Sequence, residues 1–351
     1  MIQVAAQCLG IPDDAVVIEE SATNTVANSQ PTAASASTDL YGMAVLDACE
    51  QILKRLEPIR SKLPATASWN DIVITAYFER INLTAQGFYI IHTDRCGFDW
   101  TVPHHVTPGE TAELYPFNYF TQGVAVVEAE IDCLTGDHTL PRVDLLMDLG
   151  KSINPTLDIG QIEGAFVQGY GWSTMEELVW GDTQHPWVRP GQLFTRGPGT
   201  YKIPAFNDVP ADFRVRLSDT ENKFAVHSSK VSLTASRRHT LIYTHLYSYT
   251  PHTHLIHTHT HSYTLIHTHT QQAVGEPPFF MGAAAYFAIK NAVDAARLEH
   301  TVEKEGKEMF YQLDLPATSE RIRMGCGDTI TSHLCMQPGA DGTSYRPKGS
   351  W

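Results

Sequence analysis

Apolar residues recur every four positions from Leu40 through Ala44, Ala48 and Ile52 to Leu56. That is the spacing of one helical face, and it predicts a helix over about 38–56. Ser37, Thr38 and Asp39 offer cap and first-turn chemistry ahead of it, and Pro58 should stop it. A weaker helical pattern covers 66–82, and residues 1–10 read as the end of another helix. Alanine-rich residues 281–300 predict a long one. Strand patterns fall at Ala15–Glu20, Ala85–His92, Gln122–Cys133 and Val143–Leu149, the last two joined by the turn Leu134-Thr135-Gly136-Asp137. Phe213–Ser218 and Lys223–His227 add two more. Asn154-Pro155 should break the chain, leaving Asp158 to cap a helix over Gln161–Leu178. Gly164, Gly169 and Gly171 weaken that helix unless a neighbour or ligand packs closely against them. Residues 180–200 read as a loop rich in Trp, Pro and Gly. Helices and strands mix without regular βα alternation, so the fold class is α+β.

One segment obeys neither period. The 42 residues from Val231 to Gln272 hold nine His and ten Thr but no Asp, Glu or Gly. Alternating His-Thr is what a CA dinucleotide repeat encodes. Val231-Ser232 can be written GTG-AGT, a splice-donor start, and Gln272 can be written CAG, an acceptor end. We read 231–272 as an in-frame, translated intron. The rival readings are a His-rich metal-binding loop and a genuine disordered insertion. With so few core-forming runs the segment is expected to be disordered. It separates 1–230 from 273–338, and a polar tail follows at 339–351.

The charge of -14 argues against nucleic acid and against an anionic membrane surface as partners. No apolar run reaches membrane-spanning length, and no signal peptide opens the chain. The six cysteines are scattered without a C-x-x-C pair, so no zinc or iron–sulfur site is encoded locally. Free thiols suit a reducing compartment, and the cytosol is expected, with the peroxisome as the alternative.

Three places carry candidate chemistry. In Ala273-Val274-Gly275-Glu276-Pro277-Pro278-Phe279-Phe280 a carboxylate stands between a glycine, which allows close backbone approach, and two prolines. Pro277 should push Glu276 out of helical geometry and fix it on a rigid loop, where a general base can be aimed. Read alone, a capping glutamate is the simpler account. Ser29–Ser37 (SQPTAASAS) offers small residues and hydroxyls before a helix N-terminus, a place that favours anions; an ordinary capped loop would look the same. Gln161 opens GQIEGAFVQG, where its amide could either edge a polar ligand or face water.

Together these strings closely resemble the molybdopterin-binding region of the xanthine dehydrogenases, a family of molybdenum hydroxylases. Further matching strings are KRLEPIR at 54–60, NYFTQGVAVVEAEIDCLTGDHT at 118–139, GPGTYKIPAFNDVPADF at 197–213 and LDLPATSERIRMGC at 313–326. With 231–272 removed, Ser229-Lys230 joins Ala273-Val274 to read SSKAVGEPPFF, as the family does. The resemblance implies a fold that is the C-terminal half of the molybdopterin-binding domain. It implies that Thr32, Ala33, Ala34 and Ser35 wrap the molybdopterin cofactor, with the Ala34 backbone beside the molybdenum. Gln161 would bond the pterin, and Gly275 would lie against the cofactor. Glu276 would act as the base, taking the proton of a metal-bound hydroxide as that oxygen attacks an electron-poor carbon and hydride passes to a sulfido ligand. The implied substrates are hypoxanthine and xanthine, oxidised to urate with oxygen from water. Aldehyde oxidase is the alternative, and an inactive fragment without cofactor the alternative outside the enzyme class. The 2Fe-2S and FAD modules belong to a part not present in this sequence, and the complete enzyme is expected to be a homodimer. The chain reads as beginning within a domain, so alone it is expected to be inactive.

Overall fold

The computed structural model describes residues 1–26, 28–29, 36–90, 119–150, 152, 154–183, 185–218, 257–269, 275–301, 311–328 and 330–331. Its centre is a four-stranded mixed sheet of β1 (Phe120–Asp132), β2 (His138–Asp148), β3 (Asp212–Leu217) and β4 (His257–His269), in the order β3-β2-β1-β4. β1 runs antiparallel to β2 and to β4, while β3 runs parallel to β2. Gly136, at φ +79°, turns the β1–β2 hairpin as expected, and a Cβ there would stand 1.8 Å from the Ser319 carbonyl oxygen. Glycine therefore serves both the turn and its seat against α6 (Ser319–Gly325), a helix the periodicity did not reveal.

Alternation decides which sheet face is buried. Ala125, Val127, Ala129 and Ile131 of β1 and Val143, Leu145 and Met147 of β2 are buried on one face. Helix α5 (Ala283–Thr301) covers it with Ala284, Ala285, Ala288, Ile289, Ala292, Val293 and Ala296. Alanine on this helix lets its axis lie close to the sheet. Helix α4 (Pro155–Thr174) adds Ile162, Phe166 and Tyr170 to the same core. A smaller cluster of Leu56, Ile59, Ile72 and Ala76 joins α2 (Ser37–Arg60) to α3 (Trp69–Phe78). Helix α1 (Ile2–Leu9) ends at left-handed Gly10 and buries Val4 and Ala6.

Several expectations need correction. Pro58 lies inside the last turn of α2, which runs on to Arg60. Neither Ser37 nor Asp39 caps that helix; its N-cap is Ala36, with no side-chain cap bond. α3 is shorter than 66–82 because Ser68 and Asp71 form a capping box at its start. α4 starts six residues before Gln161, since Asn154 rather than Asp158 is its N-cap and Pro155 takes its first turn. Ala15–Glu20 forms no strand: Asp13–Ala15 is a 3-10 turn, and Val17 and Ile18 are exposed. Residues 85–90 join no ladder among the described residues, and α2 side chains bond the backbone of 82–88 instead. Arg55 donates to the carbonyls of Asn82 and Thr84 at 3.0 and 2.6 Å, and Phe88 N–H donates to Asp47 at 3.0 Å. The candidate strand Lys223–His227 and the tail from 339 lie outside the described residues.

The largest difference lies in the segment expected to be disordered. Its residues 257–269 form β4, in register with the whole of β1 from Phe120↔His269 to Asp132↔His257. The rest of 231–272 lies outside the described residues. Thr, Tyr and Ile suit a pleated strand, and an apolar core is not needed to satisfy ladder hydrogen bonds along an open edge.

Candidate active site

The two strings GQIEGAFVQG and GEPPFF meet backbone to backbone. A 3-10 turn, Pro277–Gly282, leads from Glu276 into α5, and it crosses α4 at Gly169. A Cβ on Gly169 would stand 1.9 Å from the Phe279 carbonyl oxygen, and one on Gly282 would stand 2.4 Å from the Gly169 carbonyl carbon. Neither position admits a larger residue without moving main chain. Gly169 thus answers to a protein neighbour. Gly164 does not, since a Cβ there would meet nothing within 4 Å.

Glu276 is the N-cap of the 3-10 turn, and its carbonyl accepts from Phe279 N–H at 3.0 Å. Its φ of -107° and ψ of -33° are in the right-handed helical region, not the extended geometry that a following proline favours. Closing the turn overrides that preference. Pro277 and Pro278 are buried and hold the loop, while the Glu276 side chain is exposed. The desolvation expected of a general base is therefore not supplied by the described residues around it. Gly275 beside it is half-buried.

Gln161 is exposed near the start of α4, on a stripe that continues through Gly164, Gln168 and Trp172. It lies eight residues, about 12 Å along the helix, from the Gly169 crossing. Gln161 and the Glu276 loop are thus borne by two rigid elements in contact, but no contact joins the two side chains. Trp172 meets Phe279 at 6.1 Å with the rings tilted by 49°, and Phe279 stands edge-on to Phe280 at 6.5 Å, making an aromatic shelf next to Glu276. Thr32, Ala33, Ala34 and Ser35 lie outside the described residues.

The helix that follows that loop carries something the sequence reading missed. The Oδ1 atom of Asp39 and the Oγ atom of Ser37 are buried without a hydrogen-bond partner. Tyr119 Oη donates to the other Asp39 oxygen at 2.9 Å and ties the start of α2 to the start of β1. Burial pushes the Asp39 carboxyl up to about 7, against the opposing effect of the Tyr119 hydrogen bond. Asp39 had been visible only as first-turn chemistry; that it is buried follows from Tyr119, eighty residues away.

Buried bonds stiffen the scaffold. His138 Nε2 and Tyr170 Oη are 2.8 Å apart, joining β2 to α4. Burial lowers the His138 pKa and raises that of Tyr170. Past the end of α4, Glu176 accepts from Tyr201 Oη and Glu177 pairs with Arg321 at 2.6 Å. Among the described residues no group of three or more His, Cys, Asp or Glu is placed to hold a metal ion, and no helix is long and apolar enough to cross a membrane.

A family profile described as "Molybdopterin cofactor-binding domain" matches residues 1–210. The chain belongs to the molybdenum hydroxylase family. It is 46% identical to the xanthine dehydrogenase of Oryza sativa subsp. japonica over 347 residues, covering 99% of this chain and 21% of the relative. It is 44% identical to the xanthine dehydrogenase/oxidase of Mus musculus over 352 residues, 100% of this chain and 21% of the relative. The chain thus spans about a fifth of the length of the curated relatives it matches. Among solved structures, the CO dehydrogenase of Oligotropha carboxidovorans superimposes with a TM-score of 0.62 at 17% identity, covering 95% of this chain and 34% of that one, which shows the shared fold. The α+β class and the membership in a molybdenum-dependent enzyme family stand as expected. Polar groups that a bound pterin could engage are present among the described residues: two orphaned buried polar atoms at the N-terminus of a 24-residue helix, and an exposed glutamine on a stripe beside the glycine-locked crossing.

Proposed function

We propose that this chain provides the cofactor-holding and base-bearing part of a xanthine dehydrogenase, hydroxylating hypoxanthine and xanthine to urate. The observation that carries the reading is the Gly169–Gly282 crossing, which locks the glutamine-bearing helix to the loop that bears Glu276. The relatives named xanthine dehydrogenase favour purines over aldehydes as substrate. Molybdopterin would supply the redox centre and the activated oxygen.

The chain's own residues hold, orient and deprotonate. Thr32, Ala33, Ala34 and Ser35 would wrap the cofactor, with the Ala34 backbone nearest the metal, and Gln161 would bond the pterin edge. Ser37 and Asp39 close the same end of α2. Gly275 would let the main chain approach. Glu276 would take a proton at its carboxylate, held there by Pro277 and Pro278, and the shelf of Trp172, Phe279 and Phe280 would exclude water from one side. In the complete protein the remaining four-fifths of the relatives' length would carry the 2Fe-2S and FAD groups and cover Glu276. That protein would be a cytosolic homodimer.

Glu276→Gln in the complete, cofactor-loaded enzyme tests the assignment. The amide keeps shape but cannot accept the proton. Urate formation should fall by ~10²–10⁴-fold with the bound pterin content unchanged, as for other general bases. A loss under about tenfold would remove Glu276 from the role.

A further inference from the structure

The four cysteines among the described residues form two thiol pairs. Cys8 of α1 and Cys49 of α2 are hydrogen-bonded through their side chains, and so are Cys133 and Cys326. All four are free thiols. Nothing in their spacing along the chain brings Cys133 and Cys326 together; the fold does.

Cys133 follows the last residue of β1 and enters the hairpin turn, where Gly136 N–H donates to the Asp132 carbonyl at 2.7 Å. α6 lies across that turn, main chain to main chain. A Cβ on Gly136 would stand 1.8 Å from the Ser319 carbonyl oxygen and 2.9 Å from the Arg323 amide nitrogen. Ser319 Oγ donates to Asp137 at 3.2 Å on the other side of the turn. Cys326 is the C-cap of α6, and its N–H donates to the Ile322 carbonyl at 3.1 Å. It stands about 5 Å along the helix from Arg323. Two backbones in contact thus hold the two thiols against each other. Cys133 is 4% exposed and Cys326 0%, both inside the main core with Ala317 and Ile322.

The two pairs differ in what surrounds them. At Cys133 the hydrogen bond with the Cys326 thiol lowers the pKa, outweighing burial and the charges of Asp132 and Glu299, and Arg323 adds to the lowering. The Cys326 thiol is raised in turn, by that same bond and then by burial. One sulfur is thiolate-like and its neighbour is a thiol in contact with it, so the first can attack an oxidant and the second can resolve the product. At the other pair burial raises both thiols and Glu50 adds to the effect, with Cys49 pushed up to about 11. Cys8 is half-buried, so that pair is the more accessible and the less ionised. Exposure alone would favour oxidation at Cys8–Cys49; sulfur chemistry favours Cys133–Cys326.

We propose that Cys133 and Cys326 are a modification site, a dithiol that hydrogen peroxide converts to a disulfide joining the end of β1 to the end of α6. The Cys133 sulfur attacks a peroxide oxygen: an S–O bond forms, the O–O bond breaks, and the departing hydroxide takes up the proton that Cys133 released. The Cys326 sulfur then attacks the Cys133 sulfur: the S–S bond forms, the S–O bond breaks, and a second water leaves with the Cys326 proton. Two electrons pass from the thiols to the peroxide, and the products are one disulfide and two waters. The new bond adds a covalent tie to a seat that otherwise rests on the Gly136 contact, Ser319 with Asp137 and Arg321 with Glu177. Hydrogen peroxide is small and uncharged, which suits a buried pair; a bulky oxidant such as oxidised glutathione is excluded. The inference needs no cofactor and stands whether or not Glu276 is a base.

A time course of peroxide oxidation on the full chain tests it. The reduced chain is treated with excess hydrogen peroxide, blocked with N-ethylmaleimide and digested without reduction for peptide mass spectrometry. The 133–326 disulfide should form at least about fivefold faster than any 8–49 disulfide, and dithiothreitol should reverse it. The oxidised chain should melt at least about 3 °C above the reduced one. Cys326→Ser should leave Cys133 to be trapped by dimedone as a sulfenic acid, where the parent chain gives the disulfide. If that variant does not fold, the disulfide map and the melts of the parent chain carry the test alone. An 8–49 disulfide formed as fast as 133–326, a 133–326 disulfide absent or seen only in denaturant, or a melt that oxidation fails to raise overturns the proposal.

Discussion

β1 has a strand on either side, and the two were chosen by different physics. β2 buries Leu140, Val143, Leu145 and Met147 on one face, so a slip of one residue would turn all of them to solvent. A tight turn at Gly136 fixes its register as well. β4 is joined to β1 by no turn, and Thr, Ser and His repeat along it so that a slip of two residues changes little. One neighbour is specified by side chains and the other by the availability of an open edge. Hydrogen bonding alone is enough to extend a sheet, but apolar alternation is what makes a strand the only acceptable occupant.

The contrast can be broken, starting with the largest expected effect. Leu145→Ala in β2 should lose ~2–5 kcal/mol of unfolding free energy by chemical denaturation, the usual cost of a core cavity. A loss under about 1 kcal/mol would mean that β2 is no better specified than β4. Gly282→Ala should lose ~1–3 kcal/mol, because its new Cβ meets the Gly169 main chain and helices cannot yield as side chains do. Thermal melts with tryptophan fluorescence would check this through Trp172 on the adjoining shelf.

Asp39 sharpens the comparison from the other end of the body, where order rests on one buried polar pair. Its carboxyl titrates at about 7 when folded against an ordinary 3.8. The folded state therefore holds a proton that the unfolded chain has released between those values. The stability this lends is full below the ordinary value and is lost as pH rises through about 7. Asp39→Asn keeps an acceptor for Tyr119 without the charge. Its gain over the native chain should be clear at pH 8 and nearly vanish near pH 4. Parallel denaturation curves at the two pH values would show it, and an equal effect at both would mean that Asp39 does not titrate there. Smallest of all, Thr264→Ala in β4 should change stability by no more than ~0.5 kcal/mol. A loss of several kcal/mol would show that β4 is a specified core strand, and would count against its reading as an accidental occupant.

Much of the body was legible because its periods are strong and local. The β1–β2 hairpin, α5 and the helix around Leu56 all follow from spacing that a single chain displays. Boundaries failed where a cap or a partner decided them. Asn154 outcompeted Asp158 because Pro155 suits a first helical turn. Residues 85–90 carried strand residues but found α2 side chains in place of a ladder. Glu276 and Gln161 were named as candidates from their motifs, whereas Asp39 and Ser37 entered only as cap and first-turn residues, since nothing in a first-turn Asp or Ser says that its oxygens will be buried and unpartnered.

The sequence by itself determined the α+β class, the family resemblance, the hairpin and the glycine-proline loop that bears Glu276, because each rests on residues near one another along the chain. Only the tertiary structure decided that Gly169 and Gly282 are in main-chain contact, that Tyr119 reaches Asp39, and that a His-Thr segment lies against β1. Those are meetings of residues far apart in sequence. Period and propensity do not encode them, because steric exclusion and the pairing of backbone groups act on whatever the fold brings within reach.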